Sequence, residues 1–501
     1  MSRQIRILGA VILVAYAALF VKLNQVQVFQ AGAYNARPDN TRSLQRDFNQ
    51  PRGAIVTADG EVAARSEERR DALRYQRVYP EKELLGQVTG YFSFTLGSTG
   101  VERTYNDQLS GRTPALELRQ LKGLFSDVSS EGNVVLTVRK DVQQVARDQL
   151  EDRPGSVVAL DPRTGAILAL YSNPAIDPNL LSNNDTEQAA KAKRFLDAVP
   201  GKPLLVRSYQ ERYFPGSTFK VVTATGGLTS GTVTTAAPDY PVVTSYTPPL
   251  TTRAISNFGG APCGGTLLVI LARSCNSSFA QMAVEQLGPD PMIGAAESAG
   301  FNDVPPVDLP SAAESVYPTD FGSVVRRPEG QAPVYEDSPK LAQTAIGQND
   351  VRSTPLQMAL VAAGVANGGR IMTPHVMGEV QARDGEVVQR YEPTTWKESM
   401  SADVARTMRT AMVGVVQDGT AKVMAIPGVE VGAKTGTAQL GTQPPRSHGW
   451  MIAFGGPPGE PSRVAVAVLV ENLDGASEAT GGSVAGPVAR AVLEAALAVT
   501  S

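Results

Sequence analysis

Residues 213–220 have the sequence Tyr-Phe-Pro-Gly-Ser-Thr-Phe-Lys, and the interpretation of the whole chain depends on them. Pro215-Gly216 predicts a turn, and the apolar residues after Lys220 predict a buried helix. If Ser217 begins that helix, a spacing of three residues places Ser217 and Lys220 on one face. A lysine in a low-dielectric pocket loses its proton readily and can activate a neighbouring serine. A helix start with a solvated lysine would have the same sequence, so the choice depends on the rest of the chain.

The composition limits the classes of protein to which the chain can belong. A chain of 501 residues should form about two or three domains. The formal net charge of −3 gives no electrostatic reason to expect a nucleic-acid partner. The chain has two histidines (His375 and His448) and two cysteines (Cys263 and Cys275), which argues against a zinc site and leaves little room for a serine–histidine–aspartate triad. We therefore predict neither a metal nor a cofactor.

The N-terminal segment predicts the compartment. Basic residues precede an uncharged apolar run at residues 7–21, which Lys22 closes. The positive charge before the run favours an N-terminus inside the cell and the remainder outside. A cleaved signal peptide is the competing interpretation, although its small-residue site at Ala15-Tyr16-Ala17 would fall inside the apolar run. We predict a cytoplasmic tip and transmembrane anchor at residues 1–23, a single pass through the cell membrane, and an extracytoplasmic catalytic domain.

Turn signals and hydrophobic periodicity divide the rest of the chain into two parts. We interpret residues 24–150 as an elongated, non-catalytic module with a hairpin around Asp59-Gly60, and residues 151–501 as the catalytic domain. Strands near both ends of that domain, with helices between them, predict a sheet that the two ends complete. Residues 177–205 and 302–339 are expected to be loops, and the proline-rich residues 238–249 an irregular arm. The predicted strands are residues 134–138, 156–160, 166–171, 430–437, 450–454 and 464–470, and the predicted helices are residues 141–150, 356–367, 403–416 and 484–498.

Two further motifs follow the first one along the chain and give it weight. Each is weak alone, and another Ser-x-Asn at Ser182 precedes the first motif in a polar stretch. Acyl transfer needs a nucleophile with its base, a proton relay to the leaving amine, and a cation with hydroxyls for an anionic substrate tail. Backbone N–H groups in a first helical turn can stabilise the oxyanion. The three motifs are, in order, Ser217-x-x-Lys220, Ser274-x-Asn276 and Lys434-Thr435-Gly436.

The residue types suit those tasks. Lys220 would accept the proton of Ser217, and Ser274 would pass a proton on. Lys434 and the hydroxyl after it would hold a carboxylate. Gly436 would let a substrate backbone pair with the strand without a side chain in the way.

With these motifs in place, the chain resembles the class B penicillin-binding proteins, which are peptidoglycan D,D-transpeptidases. The resemblance extends over most of residues 50–470, and within the family the chain is most similar to the actinobacterial penicillin-binding protein A branch. The stretches that carry it, beyond the three motifs, are Arg52-Gly53-Ala54-Ile55, Leu160-Asp161-Pro162-Arg163-Thr164-Gly165-Ala166-Ile167, Ala345-Ile346-Gly347-Gln348, Thr354-Pro355-Leu356-Gln357-Met358-Ala359 and Ala366-Asn367-Gly368-Gly369.

The resemblance implies both a fold and a site. The fold would be α+β: a transpeptidase domain with an antiparallel sheet, helices on both sheet faces and an all-helical subdomain, preceded by a transmembrane helix and an elongated, dimerisation-like pedestal. The implied site has no metal, and its residues are Ser217 as the acylated nucleophile, Lys220 as the base, Ser274 and Asn276 as the second motif, Lys434, Thr435 and Thr437 around the substrate carboxylate beside Gly436, and the backbone N–H groups of Ser217 and Thr437 as the oxyanion hole.

Several other residues have open interpretations. Cys275, where some relatives carry aspartate, either packs as a free thiol or forms a disulfide with Cys263. His448 either lines the rim of the cleft or has a structural role. Arg52 is either part of a simple turn or shapes the module, and Glu102 is interpreted as a solvated or salt-bridged carboxylate.

The implied reaction is attack of Ser217 on the penultimate D-Ala carbonyl of a stem peptide ending in D-Ala-D-Ala. An amine of a neighbouring stem would then accept the acyl group, and β-lactams would acylate the same serine. A β-lactamase or D,D-carboxypeptidase of the same fold, and a non-catalytic β-lactam sensor or scaffold, remain as alternatives. The expected partners are the lipid bilayer, a separate membrane-embedded glycan polymerase and other cell-wall or division proteins, and no nucleic acid.

Overall fold

The computed structural model describes residues 3–26, 42–70, 73–116, 131–327, 329–330, 332–474 and 481–500. Its first helix, α1 (Arg3–Asn24), is apolar, and none of its residues is buried in the described structure. The 22 residues of α1 extend about 33 Å at a rise of about 1.5 Å per residue, which matches the hydrocarbon core of a bilayer. α1 is therefore a candidate membrane span, as the sequence predicts.

The module after α1 consists of short strands and helices. The predicted hairpin around Asp59-Gly60 is confirmed, because Ile55 pairs with Ala64 and Val56 with Val62 in antiparallel register. The elements are α2 (Arg42–Phe48), β1 (Ile55–Val56), β2 (Val62–Glu68), β3 (Tyr75–Val78), α3 (Gly86–Thr89), β4 (Phe92–Ser93), β5 (Gly97–Ser98), α4 (Gly100–Thr104), α5 (Asn106–Leu109), β6 (Gly132–Leu136) and α6 (Lys140–Leu150).

The remaining elements form the larger part of the structure. The first of them are β7 (Gly155–Leu160), β8 (Ile167–Asn173), α7 (Thr186–Ala198), α8 (Arg207–Gln210), α9 (Lys220–Ser230), β9 (Tyr240–Val243), β10 (Ser245–Tyr246), β11 (Ile255–Ser256), β12 (Cys263–Gly265), α10 (Leu267–Arg273), α11 (Asn276–Gln281) and α12 (Pro289–Ser298). The others are β13 (Val324–Arg326), β14 (Val334–Tyr335), α13 (Ser338–Thr344), α14 (Pro355–Ala366), β15 (Arg370–Met372), β16 (Met377–Ala382), β17 (Val387–Arg390), β18 (Thr395–Glu398), α15 (Ala402–Gln417), β19 (Glu430–Gln439), β20 (Arg446–Gly456), β21 (Val464–Asp474) and α16 (Gly481–Val499).

A five-stranded antiparallel sheet organises this larger part. Its order is β19-β20-β21-β7-β8, so strands from both ends of the domain complete it, as predicted. Helices α6 and α16 pack together on the sheet, and α14 also packs against β20 and β21. α16 is apolar enough to resemble a membrane span, but 39% of its apolar window is buried in the structure, because it packs on the sheet.

Helix α14 lies at the centre of the core. All 12 of its residues are buried, as expected of a helix that is apolar all round. Its predicted start is confirmed: the Thr354 side chain accepts a hydrogen bond from Gln357 N, and Pro355 occupies the first turn, where no N–H is needed. The turn before α9 contacts β19, the edge strand of the sheet, and residues of β19 line the neighbouring cleft.

A second, six-stranded sheet crosses the predicted boundary at residue 150. Its order is β17-β16-β6-β1-β2-β3, and β16 pairs with β6 in antiparallel register, Val380 opposite Val134. Two strands of the catalytic part are therefore joined to the module by backbone hydrogen bonds. This contact fixes the module against the domain more firmly than a flexible linker would.

Two predictions about irregular stretches were wrong, whereas the described part of residues 302–339 is mostly loop, as expected. Residues 177–205 contain α7, which begins where the Asp185 side chain accepts hydrogen bonds from two backbone N–H groups. Residues 238–249 contain β9 and β10, which pair with β12 and β11. Residues 302–339 contain the short β13–β14 pair and the start of α13.

Candidate active site

Ser217 lies in a tight turn of 3-10 helix, Gly216–Phe219, that continues into α9. The helical turn begins at Gly216, one residue earlier than expected. This glycine has a φ of +54°, which a residue with a side chain rarely adopts, and its N–H donates to the Gly347 carbonyl at 3.0 Å. Below the turn, Phe219 is fully buried and stacks on Tyr317. The predicted spacing is kept, and Ser217 is half-buried at the wall of a cleft of about 940 Å³.

Lys220 is fully buried and is held by the second motif. Its Nζ lies 2.7 Å from the Ser274 carbonyl oxygen, 2.6 Å from Asn276 Oδ1 and 3.2 Å from Ser274 Oγ. Ser274 caps α10 with φ 61° and ψ 43°, a left-handed conformation that is unusual for a serine. This conformation brings both its carbonyl and its hydroxyl to one lysine.

The hydrogen bonds around Ser274 fit a neutral Lys220. Two of the three contacts of Lys220 are to oxygens that can only accept, so the two N–H groups of a neutral amine satisfy them. Lys434 Nζ donates to Ser274 Oγ at 2.8 Å, and Lys220 Nζ lies 3.2 Å from the same oxygen. The same hydroxyl thus connects the two lysines and can carry a proton.

Burial and charge both favour that protonation state. Burial lowers the pKa of Lys220 well below its ordinary value of 10.5, and the nearby charge of Lys434 lowers it further. Burial also lowers the pKa of Lys434, to about 7. Because two cations on either side of one hydroxyl repel each other, one proton between them is the favoured state.

The hydroxyl of Ser217 is free for chemistry. Within the described chain, no hydrogen-bond partner of Ser217 Oγ is present, and the serine lines the cleft with Ser274 and Asn276. Ser217 Oγ and Lys220 Nζ are therefore not hydrogen-bonded in this geometry, and proton transfer between them requires the two groups to approach.

Three residues of β19 line the cleft: Thr435, Thr437 and Gln439. Lys434 does not line it: its side chain is fully buried, and its Nζ donates to Ser274 Oγ and to the Thr435 carbonyl at 3.0 Å. The predicted contact of Lys434 with a substrate carboxylate therefore stays a prediction. In this geometry Lys434 contacts the hydroxyl of Ser274, and Ser274 is the residue that lines the cleft.

Gly436 has a different role from the predicted one. A Cβ at this position would lie 2.9 Å from Thr218 Cγ2 and 3.0 Å from both the Pro215 carbonyl oxygen and Trp450 Cβ. A side chain at position 436 would therefore point toward the Ser217 turn and the core. Successive residues of a strand point to opposite faces, and the neighbours Thr435 and Thr437 face the cleft. The glycine lets β19 approach the Ser217 turn closely.

Gly436→Ala is expected to push β19 away from the Ser217 turn. Overpacking of this kind costs about 1–3 kcal/mol of stability, and we expect the rate of acylation by penicillin to fall at least about ten-fold, since a displacement near 1 Å is enough for such losses. The measurements are thermal unfolding and acylation rate. The control is Gly414→Ala in α15, where a Cβ would meet no atom within 4 Å and helix propensity gains up to about 1 kcal/mol. Equal behaviour of the two variants would contradict the packing role.

The two predicted donors of the oxyanion hole lie on adjacent backbone. Ser217 is in the first turn of its helix, where N–H groups have no partner inside the helix. The Thr437 carbonyl lies 2.7 Å from where a Cβ of Gly216 would be, so the turn and the strand touch. β19 is an edge strand of the sheet, which leaves backbone groups on its outer side available.

The open question about the cysteines is resolved: Cys263 and Cys275 form a disulfide. In the structure the arm continues from residue 238 to the end of β12 at residue 265. The disulfide joins this arm to Cys275 at the centre of the second motif. Two hydrogen bonds fasten the same arm, from Asn276 Nδ2 to the Ser256 carbonyl at 2.9 Å and from Ser277 N to Asn257 Oδ1 at 2.9 Å. Asn276 is therefore positioned from both sides, by the arm and by Lys220.

Two residues with a place in the site were missed from the sequence. Thr420 lines the cleft, and its hydroxyl lies 2.7 Å from that of Thr435. Asn257 is buried and pins the arm to α11. Neither Thr420 nor Asn257 belongs to a recognisable sequence motif. Thr420 follows the end of α15, and nothing else in the local sequence indicates a functional role.

His448 does not line the cleft. It is buried on β20, its ring packs edge-on against Tyr213 at 5.3 Å, and burial lowers its pKa to about 4. These surroundings support a structural role for His448. Among the residues that the structure describes, no group of three or more histidine, cysteine or acidic side chains is placed to hold a metal ion.

Two family models match the chain. One, described as the penicillin binding protein transpeptidase domain, matches residues 155–494, and the other, described as the penicillin binding protein A dimerisation domain, matches residues 52–135. The peptidoglycan D,D-transpeptidases PbpA of Mycolicibacterium smegmatis and Mycobacterium tuberculosis are 38% and 37% identical to the chain, each over 99% of both sequences.

Solved structures are similar as well. Penicillin-binding protein A from M. tuberculosis in a ceftriaxone acyl-enzyme complex superimposes with a TM-score of 0.80 and 36% identity, covering 90% of this chain and 100% of that chain. The penicillin G acyl-enzyme complex of the same protein gives a TM-score of 0.79, also at 36% identity, with coverage of 89% and 100%.

Proposed function

The chain belongs to the penicillin-binding protein transpeptidases, in the penicillin-binding protein A branch, and on this premise we propose that it cross-links peptidoglycan stem peptides through an acyl-serine. The observation that carries the proposal is the free hydroxyl of Ser217 in the cleft, one turn from a buried Lys220 whose hydrogen bonds fit a neutral amine. β-Lactams, which imitate the donor peptide, are proposed to acylate the same oxygen.

In the acylation step, Ser217 Oγ attacks the penultimate D-Ala carbonyl while Lys220 Nζ accepts its proton. Backbone N–H groups of Ser217 and Thr437 stabilise the oxyanion. The C–N bond then breaks, and the leaving D-Ala amine receives a proton that Lys220 gives up through Ser274 Oγ, 3.2 Å away. An acyl ester remains on Ser217.

In the second step, an amine of a neighbouring stem attacks that ester, which restores Ser217 and forms the cross-link. A β-lactamase or carboxypeptidase would instead need to activate water. The described residues that line the cleft include no aspartate or glutamate to serve as a base for water, which favours the amine acceptor. The intact Ser217 and Lys220 disfavour an idle scaffold.

The family also suggests the cellular setting. We propose that residues 1–23 anchor the chain in the cell membrane, that residues 24–150 form a pedestal, and that residues 151–501 catalyse outside the cytoplasm. α1 and the separate match of the two family models support this division. A membrane-embedded glycan polymerase and other division proteins are the proposed partners, and a pull-down from solubilised membranes that recovers no polymerase would weaken that part.

Intact-protein mass after incubation with penicillin tests the acyl-serine. We expect a stable adduct of one penicillin on the wild type and none on Ser217→Ala. Rapid loss of the drug without an adduct would instead indicate a β-lactamase, and neither adduct nor turnover would indicate a scaffold.

A second assay separates transpeptidation from hydrolysis. A donor peptide ending in D-Ala-D-Ala is incubated with and without an acceptor amine, and the products are separated by mass. We expect a cross-linked product that grows with acceptor concentration. Release of D-Ala without cross-linked product at any acceptor concentration would identify a carboxypeptidase.

A further inference from the structure

The cleft contains one exposed charge. Arg273 is the last residue of α10, directly precedes Ser274, and is exposed where it lines the cleft. Among the described residues that line the cleft, it is the one with a charged side chain. Within the same described chain, no carboxylate lies within ion-pair distance of it. An unpaired guanidinium in a substrate cleft is available to an anionic ligand.

The two motif lysines, Lys220 and Lys434, cannot provide an exposed positive charge in the cleft. Lys220 and Lys434 are fully buried, and their Nζ atoms are occupied by Ser274, Asn276 and the Thr435 carbonyl. A carboxylate in the cleft would meet hydroxyls first and would approach these amines only through Ser274. Burial lowers the pKa of both lysines and the pair favours a single shared charge, whereas the guanidinium of Arg273 is a separate charge at the cleft surface.

The backbone places Arg273 on the carboxylate side of the cleft. Thr420 N donates to the carbonyl of Ala272 at 3.1 Å, and the Thr420 hydroxyl lies 2.7 Å from that of Thr435. The backbone just before Arg273 is therefore hydrogen-bonded to Thr420, whose hydroxyl contacts that of Thr435. Thr420 faces the cleft from the turn after α15, and Thr435 faces it from β19. Because one of these hydroxyls donates to the other, one hydroxyl proton and the guanidinium remain as donors for a carboxylate.

We propose that Arg273 is a specificity-determining residue that binds the C-terminal carboxylate of the donor stem peptide and the equivalent carboxylate of β-lactams, with the hydrogen-bonded Thr435–Thr420 pair supplying one hydroxyl donor. The inference rests on the proposed function, because it identifies the carboxylate as the part of the donor peptide that the acylation site recognises. Arg273 supplies the permanent charge, and Lys434 acts behind it on Ser274.

The test compares penicillin G with its methyl ester, which keeps the reactive ring and lacks the carboxylate charge. Acylation rates of the full chain in detergent are measured for the wild type, Arg273→Gln and Arg273→Lys. We expect Arg273→Gln to lower the penicillin G rate by about 10–100-fold, the range of a charge-assisted hydrogen bond, while the methyl ester rate changes by less than about two-fold. Arg273→Lys should retain part of the preference, because it keeps the charge and loses the two-pronged geometry.

Arg326→Gln is the matched control, since Arg326 is an exposed arginine of β13 that does not line the cleft. It should leave both rates unchanged. An equal loss with both compounds for Arg273→Gln, or no loss with either, would overturn the role of Arg273. A wild type that neither compound acylates would overturn the proposed function and this inference with it, so the two failures are distinguishable.

Discussion

Lys220→Arg is expected to lower the rate of acylation by penicillin by roughly 10²–10⁴-fold, the contribution of a positioned base. Arginine places a permanent charge in the pocket and cannot be deprotonated, so it cannot accept the proton of Ser217. It also cannot fit the three short contacts of Lys220 with Ser274 and Asn276 in a fully buried site. The loss should appear in the acylation step and leave reversible binding of the drug less affected.

The pH dependence identifies the base. Since burial and then the charge of Lys434 lower the pKa of Lys220 well below 10.5, its neutral form becomes populated as the pH rises through that lowered value. The acylation rate of the wild type should therefore rise with pH and reach a plateau before an ordinary lysine would titrate. Lys220→Arg should lose this rising limb.

Lys422→Arg is the control, because Lys422 is exposed and outside the cleft, and it should keep both the rate and the pH profile. The protonation state can also be followed directly by NMR of labelled lysine side chains. A Lys220 that is protonated at neutral pH in the free enzyme, or a Lys220→Arg variant that keeps the rising limb, would contradict its role as the base.

The parts of the fold that depend on local pattern could be predicted from the sequence. Helix α14 was expected at residues 356–367 because Thr354-Pro355 starts it and Gly368-Gly369 ends it. The strand hairpin β7–β8 was expected from the turn at residues 161–165. α7 was missed because it is polar and buries mainly Ala189 and Leu196, although Asp185 is a good N-cap.

The parts that depend on distant contacts could not be predicted. The pairing of β16 with β6 joins Val380 to Val134, and no local signal indicates such a register. In the site, the motif residues were found by their spacing, but the neighbours that explain them lie elsewhere in the chain. The role of Gly436 follows from its packing on Thr218, and the place of Thr420 from its contact with Thr435.

The second large effect concerns stability and lies in the module. Glu102, interpreted from the sequence as solvated or salt-bridged, is fully buried between two buried arginines: Arg52 Nε lies 2.6 Å from Oε2, and Arg77 Nε 2.5 Å from Oε1. Tyr79 also donates to Oε1 at 3.2 Å. Arg52 is thus part of a buried ion cluster that links the start of the module to α4, and not of a simple turn.

Glu102→Gln is expected to lower the free energy of unfolding by about 3–5 kcal/mol, because removing one partner leaves uncompensated buried charge. Glutamine has nearly the same shape, so the effect comes from the charge and not from a cavity. The control is Glu67→Gln, since Glu67 is half-exposed and its ion pairs with Arg65 and Arg69 lie on the surface. That variant should change the free energy of unfolding by less than about 1 kcal/mol.

The pH dependence of that difference gives a second test. Burial alone would raise the pKa of Glu102, but the charges of Arg77 and Arg52 outweigh it and hold the pKa below its ordinary value of 4.5. A carboxylate with a lowered pKa stabilises the fold above its unfolded pKa and loses this contribution as the pH falls through the folded pKa. The advantage of the wild type over Glu102→Gln in urea or thermal unfolding should therefore be complete at neutral pH and shrink below about pH 4.5. A difference that is independent of pH, or no larger than that of Glu67→Gln, would show that the cluster contributes packing and not charge.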